Sequence, residues 1–440
     1  MRVLYLTAGT GSFYCGSCMR DNAIVRRLRG AGHDVHLMPL YMPLTLDESD
    51  ATDCPLFLGG INSWLQQKSG LFRVTPRFID ALFDWKPLLK LGAQMTDMTT
   101  AAEHGDMAVS TLEGLQGRQR KEIGRMLRWV QKNLSVDVVC LSNLLLAGLG
   151  VELKRALKVP VISAMQGEDG YLDALGRDQS QRAWDLLRSH ARELDALLGI
   201  SRFYARHMEE RLKLPGGSIR LAENGIDLDG YAPPERRPDP PVLGFFAHIT
   251  PSKGLHSVVD AFIKIRRDGR CAAWRLAIGG SCTKADEKYL NEQLAKLTGA
   301  GLDGAVTVRT NLSKEEKQAF YREISVLSVA PTYPEPFGLY TVEAVASGTP
   351  LLLPDRGALG EIIATTGAGI AVPVTADPGE DSYALAAALT DHLAEPAQLA
   401  SLQQRAVAGR AIVAERYSLA AMTDRVLAVL EDVVKKAGKA

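Results

Sequence analysis

The sequence predicts an α/β protein built from two successive halves. Three observations carry this. Short apolar runs alternate with segments of helical spacing along most of the 440 residues. The best defined run, Ser325-Val326-Leu327-Ser328-Val329-Ala330, is apolar enough to read as a strand buried in a parallel sheet. The series stops at Pro233-Pro234-Glu235-Arg236-Arg237-Pro238-Asp239-Pro240-Pro241, the clearest linker in the chain, and restarts directly after it.

In the first half, Val3 to Thr7 reads as a strand and Arg20 to Arg29 as a helix ended by Gly30 and Gly32. Val35 to Met38 is the next strand. Val136 to Leu141, Val159 to Ser163, Ala196 to Ile200 and Ile219 to Leu221 follow as short apolar strands separated by helices. Between them lies an insertion from about 41 to 132, with helical patches at Arg77 to Leu91 and Arg118 to Gln131. Its apolar residues, among them Phe57, Trp64, Phe72 and Trp85, are too many for a plain loop. They fit a small helical subdomain packed on the sheet, or a wall that receives an acceptor. After the linker, Val242 to Ala247, Trp274 to Ile278, Ala305 to Val308, Val326 to Ala330 and Leu351 to Leu353 supply a second set of strands. Two such halves predict a cleft between them, with the site at the C-terminal ends of strands.

Composition narrows the function. Lys+Arg 51 and Asp+Glu 51 cancel, so no global field draws the chain to nucleic acid, and membrane contact is expected to be peripheral at most. No apolar run is long enough to span a bilayer. Val3-Leu4-Tyr5-Leu6 is too short for a signal segment. Six cysteines in this length form no disulfide framework, and a cytoplasmic location is expected. Cys15-Gly16-Ser17-Cys18 has the spacing of a redox dithiol or half a zinc site, but no second pair accompanies it. The other reading is a loop of small residues that permits close backbone approach.

The most informative stretch is Pro334-Glu335-Pro336-Phe337-Gly338-Leu339-Tyr340-Thr341-Val342-Glu343. The prolines forbid helix before the turn, and helical spacing begins near Leu339. Strand, Gly turn and helix in this order aim backbone N–H groups and a positive helix end at one point, which suits a phosphate. Glu335 stands in the mouth of the turn and Glu343 one turn beyond Leu339. A Glu at a helix start often only complements the dipole, and a mid-helix Glu usually faces water. Glu343, however, lies among Val342, Ala344 and Val345, where a buried carboxylate needs a partner. Two acceptors flanking an anion site suit a nucleotide-sugar, with hydroxyls on both sides of a diphosphate.

This stretch, with Ala346-Ser347-Gly348-Thr349-Pro350 after it, resembles the Glu-x7-Glu motif of retaining glycosyltransferases of the family 4 type. The resemblance implies the GT-B fold, two Rossmann-like domains facing each other across a cleft. The domains would be 1–232, with the helical insertion, and 242–418, with the last helix, about 419–440, packing back on the first. It implies that Glu335 contacts the donor sugar, that Phe337, Gly338 and Leu339 meet sugar and phosphate through their N–H groups, and that Glu343 holds the ribose. It extends well from about Val242 to Asp391 and loosely over the first half.

Lys253-Gly254 at a helix start can clamp a diphosphate. It resembles the family's Gly-Arg-x4-Lys-Gly segment, with His248 in place of the Arg. Arg keeps its charge at all pH, and His need not. Gly9-Thr10-Gly11-Ser12 is either a tight turn or a loop open to a ligand, and resembles the family's loop on the acceptor side. Gln166 stands where the family commonly has His. It cannot act as a base, but the departing phosphate can take the proton. Glu168 and Asp169 face an acceptor or cap the following helix. Asp227-Leu228-Asp229 spells a metal-binding Asp-x-Asp, but it lies at the approach to the linker, and no metal or other cofactor is expected.

The resulting expectation is a metal-independent retaining transferase. Lys253, Glu335 and Gln166 act at the reacting centre, and His248, Phe337, Gly338, Leu339 and Glu343 bind the donor. Gly9, Gly11, Ser12, Glu168 and Asp169 lie on the acceptor side. The acceptor is a sugar, a lipid-linked or a small molecule. The rivals are a GT-B nucleotide-sugar epimerase and a non-catalytic nucleotide-sugar-binding protein.

Overall fold

The structure, a computed structural model, describes residues 1–9, 16–46, 49–58, 101–375 and 377–438. It forms two compact units, Met1–Glu223 with Met422–Ala440, and Asn224–Ala421.

The first unit holds strands β1 (Arg2–Thr7), β2 (Asp34–Pro39), β3 (Val138–Leu141), β4 (Val161–Met165), β5 (Ala196–Gly199) and β6 (Ile219–Leu221) in the order β2-β1-β3-β4-β5-β6. Every pairing is parallel. Val3 to Leu6 and Val138 to Leu141 are fully buried, as a sheet covered on both faces requires. The helix expected from Arg20 begins earlier and runs Gly16–Gly30. Gly16 to Cys18 are therefore its first turn rather than loop, and the buried Cys18 lies against the Thr7 hydroxyl. Cys15 lies outside the described residues, as does the helical patch Arg77 to Leu91 with the rest of 59–100. The patch expected at Arg118 to Gln131 is the helix Arg120–Asn133, on which Trp129 packs 5.5 Å from Phe57.

The second unit holds β7 (Val242–Phe246), β8 (Arg275–Gly280), β9 (Val306–Thr310), β10 (Val326–Leu327), β11 (Leu351–Pro354) and β12 (Gly369–Val372) in the order β12-β11-β10-β7-β8-β9, again parallel throughout. β10 is shorter than its apolar run. Past Leu327 the chain leaves the ladder, and Ala330 packs against the turn at Gly254 instead.

The proline-rich segment belongs to the second unit. Tyr231 donates to Glu343 at 3.2 Å, and Arg237 Nη2 donates to the Gly348 carbonyl at 2.8 Å. Gly225 lies against the backbone of Ser418, and the Ile226 N–H donates to the Tyr417 carbonyl at 2.9 Å. These bonds attach 224–241 to the helices and turns of the second unit, so the compact units divide at Glu223/Asn224, ahead of the prolines.

Candidate active site

Strand order in the second unit reverses at β7, whose neighbours are β8 on one side and β10 on the other. In open α/β sheets, ligands bind at the strand C-termini beside such a switch point. The loop after β7 carries Lys253 and the loop after β10 carries Glu335. The sheet thus joins two residues 82 positions apart: Lys253 Nζ donates to Glu335 Oε2 at 2.6 Å.

Glu335 is 5% exposed and fully engaged. Oε2 also accepts from Tyr340 at 3.1 Å, and Oε1 from Tyr333 at 3.4 Å. Lys253 donates to Tyr333 as well, and its ammonium lies 5.0 Å from the centre of that ring. Burial works against the charge on Lys253, and Glu335 with Tyr333 outweighs it, so the ammonium is held above its ordinary value. Burial, then Glu335, pushes Tyr340 well above the phenol range and raises Tyr333. Both phenols therefore stay protonated donors at neutral pH. The helix Leu339–Ala346 opens at Gly338, whose φ of 82° turns the chain, and its N-terminus stands over this cluster's turn. Phe337, 3% exposed, anchors the turn from below by an edge contact of 5.8 Å with Tyr417.

Glu343, on the same helix, is 9% exposed. Oε1 accepts from Lys317 at 2.7 Å and Tyr231 at 3.2 Å, and Oε2 from Tyr321 at 2.9 Å. Lys317, Tyr231, Tyr321, Tyr333 and Tyr340 were not read from the sequence as site residues. A tyrosine beside a turn reads as core, and nothing local marks Lys317. The nearest available signal was the carboxylate's need for donors.

His248 is half exposed, with Nε2 2.9 Å from Asp286 Oδ2. Burial works to raise the Asp286 carboxyl, and the Thr283 hydroxyl and N–H with His248 outweigh it, leaving it below its usual value. His248 is not bonded to the Lys253–Glu335 pair; its partner is the carboxylate.

In the first unit, Gln166 follows β4 and donates Nε2 to the Ser142 carbonyl, after β3, at 2.8 Å. Glu168 opens the short helix Glu168–Asp173 and is 5% exposed. Its Oε1 accepts the Leu144 N–H at 2.8 Å and its Oε2 the Gln166 N–H at 2.7 Å, tying the two strand exits together. Asp169 accepts from Tyr204 at 2.8 Å and lies 3.0 Å from His207 Nε2. Gly9 lies against the backbone of Met42, where a Cβ would be 1.7 Å from the carbonyl oxygen. Gly11 and Ser12 lie outside the described residues.

Asp169 gives a stability prediction. Burial works to raise its carboxyl, and bonds from His207 and Tyr204 outweigh this and lower it. A lowered folded value gives stability that is present above the unfolded value, near 4, and lost as pH falls through the folded one. Asp169→Asn should therefore lower stability by about 1 kcal/mol at neutral pH, with the gap to wild type closing as pH drops below about 4. Urea unfolding of both proteins across that range checks it. A gap independent of pH would rule out the ionised carboxylate as the source.

Asp227 accepts from Lys314 at 2.8 Å and from the Asp229 N–H at 3.2 Å, so the Asp-x-Asp segment is engaged by a cation and its own turn. Among the described residues, His36, Asp53 and Cys54 form a grouping with metal-ligand spacing. Asp53 there also pairs with Arg29 at 2.9 Å, and burial with Asp53 pushes the Cys54 thiol up to about 12, both of which oppose a cation.

A family model described as "Glycosyl transferases group 1" matches residues 232–407, and one described as "Glycosyl transferase 4-like domain" matches 22–225. Glycogen synthase of Mycobacterium tuberculosis is 28% identical over 303 residues, 67% of each chain. D-inositol 3-phosphate glycosyltransferase of Nocardia farcinica is 30% identical over 192 residues, 41% of this chain and 42% of its own. Among solved structures, sucrose-phosphate synthase from Thermosynechococcus elongatus superposes with a TM-score of 0.71 at 17% identity, covering 99% of this chain and 100% of that one. HepE of Anabaena, solved with UDP-glucose, gives 0.64 at 14% identity, covering 98% and 100%.

Proposed function

Because the chain belongs to the GT-B glycosyltransferases of the family 4 type, we propose that it moves a sugar from a nucleoside diphosphate donor to an acceptor hydroxyl, with retained configuration and without a divalent ion. The observation that carries this reading is the Lys253–Glu335 pair, 2.6 Å apart at the β7/β10 fork beside a helix N-terminus. It sets a cation for a leaving diphosphate next to a carboxylate for sugar hydroxyls.

In this reading the bond from the anomeric carbon to the diphosphate breaks and one to the acceptor oxygen forms. The acceptor proton passes to the departing phosphate. Lys253 and the N–H groups at Gly338 and Leu339 meet the negative charge as it grows. Glu335 orients the sugar, Glu343 takes a ribose hydroxyl, and Gln166 offers an amide rather than a base. His248 adds charge on the donor side only if it leaves Asp286. Support for a UDP-sugar donor comes from HepE. A sugar or inositol phosphate acceptor agrees with the names of the relatives. Among the described residues no helix is long and apolar enough to cross a membrane, which agrees with contact no more than peripheral.

The test is release of nucleoside diphosphate from UDP-, GDP- and ADP-sugars with glucan, sugar phosphate and inositol phosphate acceptors, with product configuration read by NMR. Transfer is expected to persist in excess EDTA, since Lys253 and the helix end supply the positive charge. Loss in EDTA with recovery on Mn²⁺ would instead assign a metal to Asp227 and Asp229. An inverted product would overturn the mechanism.

A further inference from the structure

We propose that Arg356 is a positioning residue that holds the Glu335 turn in its working geometry. The inference rests on the reading of Glu335 above. Arg356 follows β11, and its side chain is 10% exposed. Nη1 donates to the Pro331 carbonyl at 2.8 Å, at the head of the loop that leads to Glu335. Nη2 donates to the Thr375 carbonyl at 3.1 Å, beyond β12. The same two nitrogens meet Asp381 as a fork, Nη1 to Oδ2 at 2.5 Å and Nη2 to Oδ1 at 3.1 Å. One guanidinium therefore joins the exits of β10, β11 and β12 to the first residue of the helix Asp381–Leu393.

The backbone beside Arg356 grips Glu335 directly. Gly357 bridges to Glu335, and the Ala358 N–H donates to the Glu335 carbonyl at 2.8 Å. The loop is also tied to the Lys253 turn, since the Thr332 N–H donates to the Ser252 carbonyl at 2.8 Å. Arg356 thus fixes Pro331 with its side chain and Glu335 through its neighbours, and the Lys253–Glu335 distance follows from these anchors. A buried ion pair is weak evidence for stability, because apolar residues of similar volume often do as well. Two carbonyls from separate loops, bonded by a planar fork, are evidence for position. A lysine, as a single point charge, cannot meet both carbonyls and both carboxylate oxygens at once.

The experiment uses the full chain with Arg356→Lys, Arg356→Met and the double variant Arg356→Met with Asp381→Leu. The double variant removes the carboxylate that the single change strands, so it stays testable if Arg356→Met fails to fold. Transfer kinetics, calorimetric binding of the nucleoside diphosphate, melting temperature and hydrogen exchange of the Ala358 amide are read. The expected kcat loss is about 100-fold in Arg356→Met and in the double variant, the scale of a displacement near 1 Å. Arg356→Lys should fall between these and wild type. KM and nucleotide affinity should stay within about threefold, the mark of an interaction used in the transition state. Ala358 exchange should speed up in all three, and the double variant should regain the melting temperature but not kcat. Full kcat in the double variant, or unchanged Ala358 exchange, overturns the proposal. A wild-type protein that transfers no sugar would count against the functional reading alone, because amide exchange still decides whether Arg356 holds the turn.

Discussion

Glu335→Gln is expected to cut sugar transfer by about 100- to 1,000-fold, while nucleoside diphosphate affinity holds or rises slightly. The sequence places this carboxylate at the mouth of the turn, and the family resemblance implies that it meets the sugar. The structure adds a second duty, because Glu335 is also the counter-charge of Lys253. Three donors, from Lys253, Tyr333 and Tyr340, converge on its two oxygens. Glutamine offers one acceptor oxygen and turns the other position into a donor, which then faces an ammonium or a phenol. With the amide oxygen kept toward Lys253 and Tyr340, the NH2 group faces Tyr333, which loses its acceptor, and the sugar loses an acceptor that strengthens with developing charge. The diphosphate loses nothing, since Lys253 no longer divides its charge between ligand and carboxylate. Initial rates with saturating donor and calorimetry with the bare nucleotide separate the two effects. Turnover near wild type would remove Glu335 from the reacting centre. Equal losses in rate and nucleotide binding would mean that the change had simply collapsed the loop.

Glu335 was legible because of its company: two prolines, a Gly turn and the onset of helical spacing define a strand–turn–helix corner without any tertiary information. Lys253 was legible for the same reason, as a cation before a Gly at a helix start. Their contact was not, because it depends on β7 and β10 being neighbours, and strand order is a property of the sheet rather than of either segment. Glu343 shows the limit from the other side. Its burial in an apolar helix demanded partners, yet these come from 112, 26 and 22 positions away. Tyr231 lies ahead of the proline-rich segment that reads as a linker. That segment punctuates the sequence because proline ends regular structure, but packing assigns it to the second unit through Arg237 and Tyr231. Glu168 was open between ligand and cap. Its carboxylate is committed to two backbone N–H groups, one of them at Leu144, 24 positions upstream.

Gly254→Ala is expected to be severely damaging for a change of a single carbon in the second unit. Gly254 has a φ of 70° between Lys253 and the helix Leu255–Asp268, and a Cβ there would lie 1.7 Å from the Ala330 carbonyl oxygen. The left-handed conformation alone costs alanine about 1–2 kcal/mol. The overlap adds a packing cost of about 1–3 kcal/mol or more. It cannot be relieved by a rotamer, because both atoms belong to backbone. Either the Lys253 turn or the exit of β10 must move, and each carries one half of the Lys253–Glu335 pair. Gly367→Ala is the control: its φ is 66° in the same left-handed region, but nothing lies within 4 Å of the added carbon. The control should lose about 1–2 kcal/mol and keep its transfer rate. Gly254→Ala should lose about twice as much and, under conditions where it remains folded, lose transfer as well. Urea unfolding with parallel kinetics makes the comparison. If the two variants are equally stable and equally active, the Lys253 turn is not seated on the β10 exit, and the geometry that joins the two charged groups must be held by something else.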